Sequence, residues 1–599
     1  MTTLSRAQFA VALLLVVLVA TGLRVVFPVA DPPARPTVGV VWHDEGAWVH
    51  NARNRALFGA WRQDEWNPMY MTPVLTGLEY VSFRLFGVGL AQARLVSEAL
   101  GVLSVWLIGL GVARAANRLA GLIAAALLAT NYVYVMYDRA ATMEATMVAF
   151  LVVAWYGYAR AQEAPRWGLL AGAAAITAYF AKASAVFFVA ALGVDALLSV
   201  AASWPHRMAV ARSSPITPPL VAPGASVPGL ARRAGLYTLG GVALAGALAA
   251  AFFLVPNWRE YQFYNWQISV TRKPVYTLKA FADRASGLPL TYDFFTRMWP
   301  MLVVAVVSAL TRLARWSKLG PAERLLLLWA GFGVAELALH DAQDRRLVFL
   351  IPALVALAAI ALGRDRSLAP VELTSVPRTR ALLAAPVVCY AIYFLVGVIA
   401  RVPFLYAIDS GGHPAPIVRT SAVIAIALGC MLYAAWPWTS AWLARHRWSP
   451  AAAVVFVALV AAGDLAQFGQ WAAGRSYKNY EAMRLIGQWL PPGTLVHGKL
   501  ANGLALENRI RPVFVGNGFG NYVDRLERDD IRYLVTYLRP LVGYEGRDAI
   551  RPVLEAYPNR EVIRTYEVSE SAAGDDLAAL IDKHPERRGN KGGRDVGPR

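Results

Sequence analysis

The sequence predicts an α-helical polytopic membrane protein of about 13 transmembrane helices with a small α/β domain at its C-terminal end. Three observations carry this. Of 599 residues, 57% are hydrophobic and only 16% charged, and the apolar residues run in long uninterrupted blocks, too many for a soluble chain of this length. The 58 Lys and Arg, which against 39 Asp and Glu leave a formal net charge of +19, cluster in short loops between those blocks, as membrane topology demands. From about Tyr477 onward the blocks give way to short β-rich runs alternating with helix-like segments. In a soluble protein the positive charge would suggest nucleic acid; its placement here accounts for it, and no nucleic-acid partner is expected.

Taken in order, stretches near the ~20 residues needed to cross the hydrocarbon core fall at 9–28, 94–113, 119–137, 142–159, 167–181, 183–203, 234–256, 299–314, 325–340, 347–363, 381–400, 419–437 and 450–471. The first has Arg6 before an apolar core but no A-x-A-like cleavage site, so it reads as a retained span rather than a signal peptide. The two blocks joined at Lys182 require a tight hairpin or a partly re-entrant segment. With the N-terminus inside, the inner loops receive most of the Lys and Arg, and segments 29–93 and 257–298 and the C-terminal region lie outside.

The inner loop 204–233, with Ser213-Ser214-Pro215 and Pro218-Pro219, reads as a flexible linker. In the first outer loop, 29–93, residues 45–60 carry Trp48, Ala52, Leu57 and Phe58 among Arg and Asn, a pattern suited to a helix lying in the interface plane. Asn67 to Pro73 then forces a turn before a second such stretch, Leu78 to Phe86. The membrane part thus occupies 1–471, an extracytoplasmic α/β domain 472–583, and a polar, Gly-rich, basic tail expected to be disordered 584–599. In the α/β domain Thr494–His497, Pro512–Val515, Ile531–Tyr537 and Glu561–Val568 read as strands, and Glu481–Leu490 and Leu577–Lys583 as helices. Gly516 to Gly520 lacks the Lys-Ser/Thr of a phosphate loop and reads as a turn. Cys389 and Cys430, without metal-ligand spacing, read as buried thiols.

The candidate chemistry centres on His43-Asp44-Glu45, two adjacent carboxylates just past the first span. The charge-derived topology places Asp44, Glu45, Arg139, Glu144, Lys182, His340, Asp341, Asp344, Arg345 and Arg346 all at outer span ends, where they could share one cavity. Transfer of a sugar from a lipid phosphate to a hydroxyl needs a carboxylate to take the proton and cations to stabilise the departing phosphate. Asp44 suits the first role; Arg139, Lys182, Arg345 and Arg346 suit the second. The spacing leaves open a divalent cation held by carboxylates with His43 or His340.

Duller alternatives stand beside each: Asp44 as a helix cap, Arg139 paired with Asp138, Arg345 paired with Asp341 or Asp344, and Lys182 as a snorkelling anchor. Asp64-Glu65-Trp66 reads as a solvated loop. Tyr261, Phe263, Tyr264 and Trp266 read as an interfacial aromatic belt.

His43-Asp44-Glu45 after the first span, the Pro68 to Pro73 turn, Phe86-Gly87 with Ala93-Arg94-Leu95, Asp138-Arg139 to Glu144, Ala181-Lys182, and Asp344-Arg345-Arg346 leading to Ile351-Pro352-Ala353 occur in this order. Together they resemble the GT-C glycosyltransferases of the protein O-mannosyltransferase and aminoarabinose-transferase group, family 39. The resemblance implies an inverting glycosyltransferase of GT-C fold that uses a polyprenyl-phosphate sugar at the outer face of a bacterial cytoplasmic membrane. Its acceptor would be a lipid, glycan or protein hydroxyl, and no nucleotide cofactor would be needed. It further implies Asp44 as base with Glu45 assisting, optionally through a divalent metal at His43 and Glu45. Arg139, Glu144, Lys182, His340, Arg345 and Arg346 would bind donor phosphate or substrate. Glu144 stands where Asp is more usual and Trp48 where Tyr is common, and no β-trefoil module interrupts the spans. The competing class is a transporter or flippase of a lipid-linked sugar; charges gathered at one face rather than along a pathway favour the enzyme.

Overall fold

The computed structural model describes residues 4–201, 228–271, 276–290, 293–313, 315–340, 344–363, 378–405, 449–516, 518–539, 551–571, 574 and 576–586. Among these, seven helices are long and apolar enough to cross a membrane, or eight if the bent pair Arg118–Thr130 and Tyr132–Asp138 is one span. Every span placed from sequence outside 419–437 falls on a helix, but several of those helices are too short or too polar to count as spans by themselves, so the thirteen are not all recovered. The expected span at 419–437, residues 204–227 of the linker expected at 204–233, Cys430 and the tail beyond Glu586 lie outside the described residues, while residues 228–233 of that linker already belong to the helix Pro228–Ala249.

The first helix, Arg6–Val25, opens with a capping box: Ser5 accepts from the Gln8 backbone N–H while the Gln8 side chain accepts from Ser5. The bent pair turns by 63° at Asn131, whose side chain accepts from the Tyr134 N–H and so starts the second piece as a new helix. Small residues let helices approach: a Cβ on Gly172 would sit 2.4 Å from the Thr238 carbonyl oxygen, so the helices Trp167–Ala181 and Pro228–Ala249 meet backbone to backbone. Cys389 is exposed on the helix Arg378–Ala400 rather than buried; that helix turns much of its surface outward.

The C-terminal domain is a five-stranded mixed sheet in the order β2-β1-β3-β5-β4, with β1 Leu495–His497, β2 Arg511–Val513, β3 Tyr533–Arg539, β4 Glu561–Glu567 and β5 Leu577–Asp582. β1 runs parallel to β2 and β3, and β5 lies antiparallel between β3 and β4. β5 corrects the helix expected at Leu577–Lys583. LAALID is a continuous apolar run without period; flanked by two strands and buried along nearly its whole length, it pairs rather than coils. The helix Lys478–Trp489 covers the sheet through Ala482, Met483 and Ile486. The Phe519 N–H donates to the Gly516 carbonyl at 3.2 Å, a turn ahead of the short helix Gly520–Val523.

The two halves share one core. Trp42, Val49, Ala52, Phe83, Leu90, Ala93 and Ala141 from the membrane half lie in the same buried cluster as Ile486, Val496, Leu500, Val535 and Leu580 of the sheet domain. This corrects the interface-plane helix expected at 45–60. The segment forms two short helices, Asp44–Trp48 and His50–Phe58, and residues 44–54 are buried beneath the C-terminal domain. Asp64-Glu65-Trp66 is likewise not a solvated loop. Asp64 meets His50 Nε2 at 2.9 Å and accepts from the Phe514 N–H at 2.8 Å, and Trp66 stacks on Phe514 at 4.4 Å between ring centroids. Tyr264 leaves the expected aromatic belt to join this cluster, stacked near Phe519 and hydrogen-bonded to Asn67; Phe263 and Trp266 stay exposed.

Arg53, fully buried, fastens the junction by donating to the carbonyls of Ala505, Asn508 and Ile510 at 3.0 Å each. Replacing it by Met keeps the volume but strands three carbonyls, so Arg53→Met is expected to cost about 3 kcal/mol or more. The check is limited proteolysis at the boundary near residue 475, which should release the C-terminal domain faster than in the unsubstituted protein.

Candidate active site

The site is built where the end of the first helix, the start of Leu90–Ala115 and the 139–143 turn meet. Glu45 is the hub. Arg94 grips both its oxygens, Nε to Oε1 and Nη2 to Oε2 at 2.8 Å each, and the Ala141 N–H donates to Oε1 at 2.9 Å. The same Arg94 donates through Nη1 to the carbonyls of Pro28 and Ala30. A planar guanidinium can do this because its donors fan out in a fixed fork. Glu45 is therefore fully engaged as an anchor.

Asp44 follows His43, which itself occupies the N-cap position without a capping side-chain bond, so Asp44 begins the helix rather than capping it. Its Oδ1 lies 3.3 Å from Lys499 Nζ of the C-terminal domain and 3.7 Å from His43 Nε2. On its other side His43 Nδ1 is 3.8 Å from Glu570, which receives a hydrogen bond from the Tyr537 hydroxyl at 3.2 Å and faces Arg35 at 3.8 Å. Burial pushes the Glu570 carboxyl up, with Arg35 and Tyr537 pulling the other way. Asp44 is thus buried between the two halves of the protein.

The remaining sequence candidates divide. Arg139 does not pair with Asp138: it donates to the carbonyls of Leu23, Arg24 and Phe27, closing the C-terminal end of the first helix, and lies over Trp471 at 4.7 Å. Asp138 is taken by Arg24 at 2.8 Å, both fully buried. Glu144 and Lys182, far apart in sequence, form an ion pair, so the Lys that looked partnerless between two apolar blocks has a carboxylate. His340 pairs with Glu336 one turn earlier at 3.1 Å. Arg346 is half-buried on the 3-10 turn Asp344–Leu350, which packs against Met143–Ala161; the Arg345 side chain is outside the described residues.

Among the described residues no group of three His, Cys, Asp or Glu side chains is arranged to hold a metal ion. The expected pair His43 and Glu45 does not fit one, because both Glu45 oxygens already accept from Arg94. Sequence reasoning missed Lys499, which reaches Asp44, and Glu570 and Tyr537, which reach His43, all from hundreds of residues away, and Arg35, which faces Glu570.

It also missed Glu79, on the 14-residue helix Pro73–Phe86, which is fully buried with neither oxygen hydrogen-bonded. Burial pushes its carboxyl well above the usual range and the nearby Glu45 charge pushes the same way.

Residues 71–221, a quarter of the chain, match the model of a family described as dolichyl-phosphate-mannose-protein mannosyltransferase. The match bears out the resemblance read from the motifs; Arg139, Glu144 and Lys182 fall within it and Asp44 and Glu45 before it. No curated protein matches the chain. Among solved structures the chain is similar to ArnT from Cupriavidus metallidurans in the apo state, at 17% identity and a TM-score of 0.49, covering 96% of this chain and 98% of that one. It is similar to the same protein bound to undecaprenyl phosphate at 16% identity and a TM-score of 0.44, covering 96% and 97%. The Archaeoglobus fulgidus oligosaccharyltransferase tethered with an acceptor peptide follows at 13% identity and a TM-score of 0.43, covering 89% and 69%.

Two outcomes follow from this geometry. A Cβ on Gly46 would fall 2.0 Å from the Asn502 carbonyl oxygen, against backbone that cannot yield cheaply. Gly46→Ala is expected to lower activity at least ~10-fold by wedging Lys499 away from Asp44, whereas Gly22→Ala, with nothing within 4 Å of its Cβ, should leave it unchanged. For Glu79 the folded pKa lies above the unfolded one, so the folded state holds the extra proton and stability falls as pH rises above about 4.5. The melting temperature of Glu79→Gln, measured from pH 5 to 8, should rise relative to the unsubstituted protein, following a slope of up to ~1.4 kcal/mol per pH unit.

Proposed function

We propose that the protein is a glycosyltransferase of GT-C type that transfers a sugar, with inversion, from a polyprenyl-phosphate donor to a hydroxyl on a lipid, glycan or protein. The reaction would run at the outer face of the cytoplasmic membrane, on the side carrying the C-terminal domain. The observation that carries the reading is the Asp44 carboxylate, buried at the junction of a membrane helix bundle and a sheet domain and anchored through its neighbour Glu45. The family match over residues 71–221 supports it, since that family is described by a dolichyl-phosphate-mannose donor.

In this reading Asp44 accepts the proton of the acceptor hydroxyl as that oxygen bonds to the anomeric carbon. The bond from that carbon to the phosphate oxygen breaks, and its electron pair leaves with the lipid phosphate. Lys182 and Arg346 are the cations we assign to the phosphate; Arg139 serves instead to hold the end of the first helix, and Glu144 to hold Lys182. Burial of Asp44 beneath the C-terminal domain strengthens its interactions and keeps bulk water from replacing the acceptor.

Release of polyprenyl phosphate from a panel of radiolabelled polyprenyl-phosphate sugars, by protein purified in lipid with membrane extract as acceptor, tests the reading. Asp44→Asn should lower the rate by ~10²-fold or more with the fold intact. If the unsubstituted protein turns over none of the donors but carries one across vesicles at the same rate with and without Asp44, the reading is wrong and the protein is a transporter.

A further inference from the structure

The C-terminal domain does more than bury the Asp44 turn. β1 ends at His497, and Gly498 with φ of 116° turns the chain so that the helix Lys499–Gly503 runs directly over Asp44–Trp48. The two backbones touch. Gly46 meets the Asn502 carbonyl and Gly503 meets His43, so that side chains at either position would force the helices apart. Asn502 Nδ2 lies 3.0 Å from His50 Nδ1, a further tie between the halves. The contact delivers the Lys499 ammonium to 3.3 Å from Asp44 Oδ1, with both side chains nearly excluded from solvent.

We propose that Lys499 is a positioning residue for Asp44, and that the catalytic site is complete only when the C-terminal domain is docked. The inference rests on the reading of Asp44 as base. A base must be ionised before the acceptor arrives, and burial opposes ionisation. Among the described residues, these charges face Asp44 and its neighbour His43. Lys499 comes from the C-terminal domain. Glu45 lies beside Asp44 but is neutralised by Arg94. Glu570, with the Tyr537 hydroxyl, faces the far side of His43 and is paired with Arg35. Lys499 is a fixed cation in direct contact with the carboxylate, placed to favour its charged form and to set the direction of Oδ1. His43, at 3.7 Å, adds positive charge only when protonated.

The experiment compares unsubstituted protein, Lys499→Met and Lys499→Arg, in lipid and with matched melting temperatures, in two readouts. The first is the pH dependence of kcat for the donor that the Asp44→Asn test identifies. Lys499→Met should move the acid limb to higher pH by about 1 unit or more, as loss of a cation within 4 Å of a carboxylate predicts, with the donor KM little changed. Lys499→Arg should restore the limb. The second readout needs no donor: labelling of Asp44 by an apolar carbodiimide, which reacts with the protonated carboxyl, quantified by mass spectrometry across pH. Half-labelling should move upward by the same amount in Lys499→Met and not in Lys499→Arg.

An unmoved limb or an unmoved half-labelling pH in Lys499→Met overturns the proposal even where Asp44→Asn is inactive, since Asp44 would then be the base without help from Lys499. Full turnover by Asp44→Asn overturns the base assignment and the proposal with it.

Discussion

The buried Glu45–Arg94 pair is the interaction on which the rest depends. Two charges removed from water are costly unless nearly all of their hydrogen-bonding capacity is met, and here one guanidinium satisfies both carboxylate oxygens and two stray carbonyls at once. The pair joins four pieces of chain that are distant in sequence: the end of the first helix, the Asp44 turn, the start of Leu90–Ala115 and the turn after Arg139. Removing either partner leaves an uncompensated buried charge, which typically costs about 3–5 kcal/mol. Its contribution to function is to fix the backbone from which Asp44 projects.

A second layer of buried polar ties carries that precision across to the sheet domain. Arg139 closes the first helix, Arg24 holds Asp138, Arg53 draws in three carbonyls of the 505–510 loop, and Asp64 ties His50 to Phe514. Each is a charge or a backbone group satisfied at a distance, and each would be costly to leave half-made. The aromatic stack of Trp66, Phe514 and Phe519 seals the same seam against water.

What could be read from the sequence follows the range of the forces involved. The membrane helices were legible because hydrocarbon imposes a length and a composition on each stretch separately, and the strands 495–497, 511–513, 533–539 and 561–567 because their apolar patterns are short and bounded by turns. Leu577–Asp582 was not, since its five-residue apolar run fits either a buried strand or a helix turn and only the neighbouring strands decide. The acidic pair stood out by its placement beside a span, yet its environment did not. Asp64-Glu65-Trp66 looked like ordinary loop because its partners, His50 and Phe514, are named by tertiary contact alone. Lys182 looked unpaired for the same reason, its carboxylate being 38 residues earlier on another helix. Lys499 is an undistinguished lysine after a glycine until the sheet domain is laid over residue 44.

The shared core around Trp42, Val49 and Leu500 has a bearing on how the chain is made. Residues 42–93 are synthesised early, but the sheet residues that complete their packing, and Glu570 beyond them, come close to 500 positions later. At ordinary elongation rates of about 5–20 residues per second, that interval is on the order of half a minute to a minute and a half. Throughout it the Asp44 turn, already held by Glu45 and Arg94, lacks the apolar and charged neighbours that the sheet domain supplies. The cover over Asp44 is therefore the last part to form, and a chain cut short anywhere before the sheet would hold its helices in the bilayer with the Asp44 turn left open and Lys499 missing.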